Sequence, residues 1–210
     1  MRSRQREINT LISTWEAVEA NPGVGAAGKG LLLEDTFLLT KTYLLLARVR
    51  KAEGNAADSL ESLNKAKANQ AKALTRVLGE GGAMDQLGAQ QEVMAEVCLT
   101  LGAAFESGHD PEQALAVYKE GLKHKDDHEA CLVAICKLHL RAGELDAAQQ
   151  HVSALMASNS ADSTTARMLL ADVMLSKVCD APLTPSRTHH PPSASGRAAS
   201  LDCHGDPRRS

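Results

Sequence analysis

Four groups of residues in this 210-residue chain have types that do chemistry elsewhere. The run Gly23-Val24-Gly25-Ala26-Ala27-Gly28-Lys29-Gly30 has the spacing of a dinucleotide fingerprint and falls one residue short of a phosphate-cradling loop. Both motifs need a strand before them and a helix after them, so that backbone N–H groups aim at phosphate. Here a helical pattern comes first, and Gly30 stands where Ser or Thr would hold magnesium, so the run reads as a flexible linker between helices. Cys131, Cys136 and His139 have metal-ligand types, but positions five apart on a helix diverge by more than a right angle. Only Cys136 and His139 share a face, which favours a structural role.

Lys119, Lys123, His124 and Lys125 could meet a phosphate, yet they also suit the negative end of a helix. His189, His190, Cys203 and His204 lie in a polar tail that supplies no fixed ligand geometry. No acid–base pair or Cys/His nucleophile stands out from ordinary helical positions. The expectation is a chain with no catalytic residues, cofactor, metal or small-molecule substrate.

The elements that would position these residues are helical. One Trp, two Tyr and two Phe, among abundant Ala and Leu, favour packed helices over sheets. A net charge of -3 offers little attraction to nucleic acid or an anionic membrane. No stretch approaches the roughly 18 apolar residues of a membrane span, and residues 1–9 lack the apolar core of a secretory signal. A soluble intracellular protein is expected. The five cysteines (98, 131, 136, 179 and 203) are odd in number and read as reduced, mostly buried thiols.

Ile8, Leu11, Ile12, Trp15 and Val18 predict an amphipathic helix within residues 1–20, followed by the Gly-rich linker 21–30. Helices are predicted at 31–51, 57–78, 84–106, 111–123, 127–141, 145–157 and 162–176, with stops at Gly54-Asn55, Gly79, Gly81, Gly82 and Gly108. Asp110-Pro111-Glu112 is an N-cap, a first-turn proline and an acid at the positive dipole end. From residue 178 onward five of the seven prolines gather with Ser, Arg and His, so 178–210 is expected to be a disordered tail.

Comparing the chain with itself reveals a period of about 34 residues, the signature of stacked helix–turn–helix units. Leu101-Gly102, Phe105, Ala114, Tyr118 and Gly121 map onto Ile135-Cys136, His139, Ala148, Val152 and Leu155, and then onto Leu169-Leu170 and Val173. Small residues such as Gly102 and Ala114 let two helices approach, and aromatics fill the hollows beside them. The first set resembles the tetratricopeptide pattern. Tyr43, Leu46-Ala47, Gly54, Leu60, Leu63 and Ala66 form a looser unit in the same roles. The expected fold is an all-α tetratricopeptide-repeat solenoid of antiparallel helix pairs over 31–177. Its units are 31–78 (degenerate), 84–126, 127–160 and a half repeat at 161–177, which gives the look of a truncated chain.

A narrower likeness runs from Ala66 to Lys177. Lys65-Ala66-Lys67, Gln70, Leu74 to Leu78, Glu92 to Cys98, Gln113 to Leu122, Leu138 to Gly143 and Met168 to Leu175 carry it. This ordered run resembles the tetratricopeptide-repeat subunit family of intraflagellar transport complex A. The resemblance implies a non-catalytic scaffold acting in retrograde intraciliary transport and protein localisation to cilia, in cilium and cytoplasm, with other subunits of that complex as partners. A generic cytosolic adaptor or co-chaperone is the alternative. Leu44 and Arg48, Leu99 and Ala103, and Val133 and Lys137 occupy the inner positions where chaperone-binding relatives hold a peptide carboxylate with Lys and Asn, so that clamp is missing.

Overall fold

The computed structural model describes residues 2–20, 33–79, 81, 84–157 and 164–180. They form eight helices: α1 (Arg2–Ala20), α2 (Leu33–Ala52), α3 (Ala56–Gly79), α4 (Met84–Ser107), α5 (Pro111–His124), α6 (Glu129–Ala142), α7 (Leu145–Ala157) and α8 (Thr164–Asp180). Among the described residues there is no strand, and no helix is long and apolar enough to cross a membrane. The Gly23–Gly30 run and the His189, His190, Cys203, His204 group lie outside the described residues.

Each helix packs chiefly on its neighbours in sequence, and α6 also reaches back to α4 and forward to α8. That is the contact pattern of a stacked array, where every unit covers the apolar stripe of the one before it. Leu39, Tyr43, Leu44, Leu46 and Ala47 of α2 join Leu63, Ala66 and Leu74 of α3 and Val93, Val97, Cys98 and Leu101 of α4 in one buried cluster. Ile12 of α1 closes its end, with Ile8, Trp15 and Val18 packed around it. Leu11 does not belong to that stripe: it is 51% exposed, because the face of α1 turned to α2 is narrower than the five apolar positions suggest. A second cluster joins Leu132 and Cys136 of α6, Ala148, Val152 and Leu155 of α7, and Ala166, Leu169 and Val173 of α8.

The first helix of each pair ends in the same turn. Asn55 N–H donates to the Arg50 carbonyl at 2.9 Å, Asp110 to Phe105 at 3.0 Å and Glu144 to His139 at 2.9 Å, each spanning a residue in the left-handed region. These are Schellman turns, which satisfy carbonyls that the helix end leaves open. The left-handed residue is Gly54 in the first, Gly143 in the third, and His109 (φ 61°) in the middle one. The stop expected at Gly108 therefore sits one position later, on a residue with a Cβ. Asp110 accepts from Gln113 N–H at 3.0 Å and starts α5. α6 starts from His128, whose Nδ1 accepts from Cys131 N–H at 3.3 Å. α8 runs to Asp180, so residues 178–180 are helical rather than part of the tail expected from residue 178.

Candidate interaction surface

The residues proposed to pack the repeats fall into three groups. In α4 and α5, Gly102 lies directly under the Tyr118 ring: a Cβ on Gly102 would sit 2.3 Å from Tyr118 Cε1. No side chain fits there, so the α4–α5 crossing depends on glycine facing tyrosine. Leu101 and Ala114 are buried beside them, while Phe105 is half-buried at the seam between two apolar clusters. Tyr118 Oη donates to Glu106 Oε1 at 2.7 Å, and Glu106 Oε2 accepts from Arg141 at 2.8 Å, which ties α5, α4 and α6 together. Burial, and then that hydrogen bond, hold the Tyr118 phenol well above its ordinary range. At Gly121 a Cβ would meet Cys98 Cβ at 3.1 Å and Cys131 Sγ at 3.2 Å, so this glycine sets how closely α5 approaches α4 and α6.

One period later the same place is filled differently. Cys136 and Val152, the counterparts of Gly102 and Tyr118, are both buried in one cluster with Ala148, Leu155 and Leu169. A larger residue on α6 is matched by a smaller one on α7, which conserves volume across the crossing. Ile135 and Val173 are fully buried and Leu170 is half-buried. His139, at the position of Phe105, is 6% exposed; its ring stacks on His151 of α7 with centroids 5.4 Å apart, and Nδ1 lies 2.5 Å from Glu144 Oε2. Burial pulls the His151 pKa down, with His139 and Lys119 adding to it.

In the first pair Tyr43, Leu46, Ala47, Leu63 and Ala66 are all buried. Tyr43, however, turns to the N-terminal side and donates to Glu16 of α1 at 2.5 Å. What joins α2, α3 and α4 here includes a buried polar ladder that sequence reasoning missed. Asn69 Nδ2 donates to the Thr36 carbonyl and to Thr40 Oγ1, each at 2.8 Å. The Thr40 hydroxyl lies 3.1 Å from the Thr36 carbonyl and 3.3 Å from Gln70 Oε1. Gln70 Nε2 then donates to the backbone carbonyl of Gln90 at 2.9 Å and to its Oε1 at 2.8 Å. All five residues are buried. The only hint was Thr36 and Thr40 four apart on one helix and an Asn69-Gln70 pair on the next, a pattern that otherwise reads as a solvated face.

Cys131 and Cys136 point apart: Cys131 Sγ faces the Ala95 carbonyl of α4 and Cys136 Sγ the Ala148 carbonyl of α7. Burial pushes the Cys98 thiol up to about 11 and Cys131 up to about 12, so both stay protonated and weakly nucleophilic at neutral pH. Cys179, by contrast, is exposed. Among the described residues no three His, Cys, Asp or Glu side chains are grouped to hold a metal. Of the basic run, Lys125 pairs with Glu92 of α4 instead of standing free as part of a phosphate patch.

Cross-helix ion pairs recur along the array: Lys41–Glu96 joins α2 to α4 at 2.5 Å, Lys67–Glu120 joins α3 to α5 at 2.5 Å, and Lys177–Asp146 joins α8 to α7 at 2.7 Å. Partly exposed, each contributes little to stability, but together they fix polar groups at set places on the surface. On the inner positions Leu44 is buried, Leu99 and Val133 are half-buried, and Arg48, Ala103 and Lys137 are exposed. An open recess of about 570 Å³ lies between α4, α6 and the start of α8, lined by Glu92, Lys125, Asp127, His128, Glu129, Ala130, Val133 and Thr165. Such a surface, shallow and mixed in character, suits contact with another polypeptide more than enclosure of a small molecule.

Comparison with known proteins gives two family matches. Residues 31–122 match the model for the fourth ARM domain of tetratricopeptide repeat protein 21, and residues 104–173 match a tetratricopeptide-repeat model. Tetratricopeptide repeat protein 21B of Xenopus laevis is 34% identical over 120 residues, 57% of this chain and 9% of that protein. Tetratricopeptide repeat protein 21A of Homo sapiens is 29% identical over 137 residues, 65% of this chain and 10% of that protein. The chain thus spans about a tenth of the length of these relatives.

Proposed function

We propose that this chain, which belongs to the tetratricopeptide repeat protein 21 family through residues 31–122, acts as a docking segment within intraflagellar transport complex A. At the coarser level it is a tetratricopeptide-type protein-interaction scaffold. Its partners are other subunits of the complex, its setting is the cilium and the adjoining cytoplasm, and its role is in retrograde intraciliary transport and protein localisation to cilia. The observation that carries this reading is the family match across α2 to α5, the region where the polar ladder and the Gly102–Tyr118 crossing hold four successive helices in register. A stack of that kind presents side chains from several helices on one extended surface, and recognition follows from shape and apolar contact across many residues.

The test is affinity purification of the tagged chain from ciliated cells, with the co-purifying proteins identified by mass spectrometry. Subunits of the transport complex are expected, and they should be lost with Gly102→Leu, which the Tyr118 ring cannot accommodate. Recovery of chaperones specific for C-terminal peptides, without those subunits, would replace this reading with the co-chaperone one.

A further inference from the structure

We propose that the recess between α4, α6 and the start of α8 receives an arginine side chain from an extended segment of a partner polypeptide. This deepens the scaffold reading and rests on it, without depending on which complex supplies the partner. The recess is negative at its rim and apolar at its floor. Glu92, Asp127 and Glu129 bring three carboxylates to it against the one ammonium of Lys125, which is already paired with Glu92. The positive dipole end of α6 offsets only about half a charge of that excess. Ala130 and Val133, one turn apart on α6, form the floor. An apolar floor under a negative rim suits a side chain with an aliphatic stem and a cationic head.

A donor without an acceptor points the same way. His128 lines the recess and is only 9% exposed. Its Nδ1 accepts from Cys131 N–H at 3.3 Å, which leaves the hydrogen of the neutral ring on Nε2. Burial lowers the His128 pKa and so keeps the ring neutral. Glu92 Oε1 faces Nε2 at 3.7 Å, beyond hydrogen-bond distance, and no other acceptor for it stands among the described residues. A nearly buried N–H of this kind calls for an acceptor from outside. A bare cation would leave that donor unmet, and an anion would meet the carboxylates. A polypeptide segment satisfies both demands, its carbonyl accepting from His128 while its basic side chain lies on Ala130 and Val133. Arginine fits better than lysine, because its planar fork pairs with carboxylates two bonds at a time and it sheds water more readily.

The test is an NMR titration of the full, isotopically labelled chain with the blocked tripeptide acetyl-Ala-Arg-Ala-amide. Shifts are expected at Ala130, Val133 and the His128 ring, with a dissociation constant of about a millimolar, the strength of one anchoring side chain. The same peptide with citrulline, a neutral near-isostere of arginine, should bind about tenfold more weakly or worse. Asp127→Lys, at an exposed position in the turn before α6, should weaken the arginine peptide by a similar factor and favour the peptide with glutamate in its place. Asp146→Lys, an exposed acid on α7 away from the recess, should leave binding unchanged. Absent or scattered shifts overturn the proposal, as does an equal response to citrulline, indifference to Asp127→Lys, or loss of binding in Asp146→Lys. A positive titration beside a failed affinity purification rejects the assigned complex and keeps the recess; the reverse result rejects the recess alone.

Discussion

The α2–α4 region and the α4–α7 region solve the same problem with different materials. Both stack helix layers across a crossing where backbones come close. In the first, Thr36, Thr40, Asn69, Gln70 and Gln90 thread hydrogen bonds through an otherwise apolar interior. In the second, the crossing is closed by complementary volumes, Gly102 under Tyr118 and then Cys136 with Val152. The difference lies in what each tolerates. A satisfied polar ladder specifies one register but leaves costly unpaired groups when a member is lost, whereas a volume match accepts a compensating change of size on the facing helix.

The most forceful way to break the comparison is at Gly102. Gly102→Leu is expected to cost more than about 3 kcal/mol in chemical denaturation, because even a Cβ overlaps the tyrosine ring. The double variant Gly102→Cys with Tyr118→Val copies the next repeat. It should recover most of what Gly102→Cys loses, and failure to couple would mean that the two crossings are not the same device.

Gln70→Leu comes next, at about 2 to 3 kcal/mol, since it removes two interior hydrogen bonds and strands the Gln90 side-chain oxygen. Hydrogen exchange should quicken in α2 and α3 while α6 and α7 keep their protection. Uniform loss of protection would mean that the two regions unfold as one unit. A smaller effect of opposite sign is expected at the turn between α4 and α5. His109→Gly should stabilise by about 1 kcal/mol, because the left-handed turn that Gly54 and Gly143 make without strain carries a Cβ at His109.

The smallest expected effect distinguishes the regions by pH. Burial lowers the pKa of His151 in α7 and of His128 at the start of α6. In the unfolded chain these imidazoles take up protons near the ordinary value of about 6.5, while in the folded chain they do so only at lower pH. Between those values the unfolded state binds more protons, so stability falls as pH drops through about 6.5. Partial exposure screens the effect and keeps it modest. A urea midpoint that moves down between about pH 7.5 and 5.5, and moves less in His151→Asn, is the expected result. An equal shift in the variant would remove His151 from the account.

The repeat class and the helix ends were legible in the sequence, because their signals act within a turn of themselves. Asp110-Pro111-Glu112 starts α5 and Gly54-Asn55 ends α2 through bonds that reach no further than five residues. The 34-residue offset is visible in the letters from Leu101-Gly102 to Ile135-Cys136, whereas the turn at His109 is not, because the letters point to Gly108. Leu11 misled for the same reason: periodicity shows that a residue is apolar on a stripe, but the width of the stripe depends on the neighbour it meets.

By itself, then, the sequence determined an all-α repeat array, its period, and where most of its helices begin and end, since propensity, capping and spacing are local properties of the chain. Tertiary structure alone decided that Gln70 would reach Gln90 across two helices and that Gly102 would lie under Tyr118 rather than merely near it. It also decided that His139 would stack on His151, and that α8 would turn Ala166, Leu169 and Val173 onto α6 and α7. Each of those outcomes sets the partner of a side chain well beyond the helical turn in which it sits. Polar residues at helical spacing read identically whether they face water or one another, until packing brings the second helix alongside.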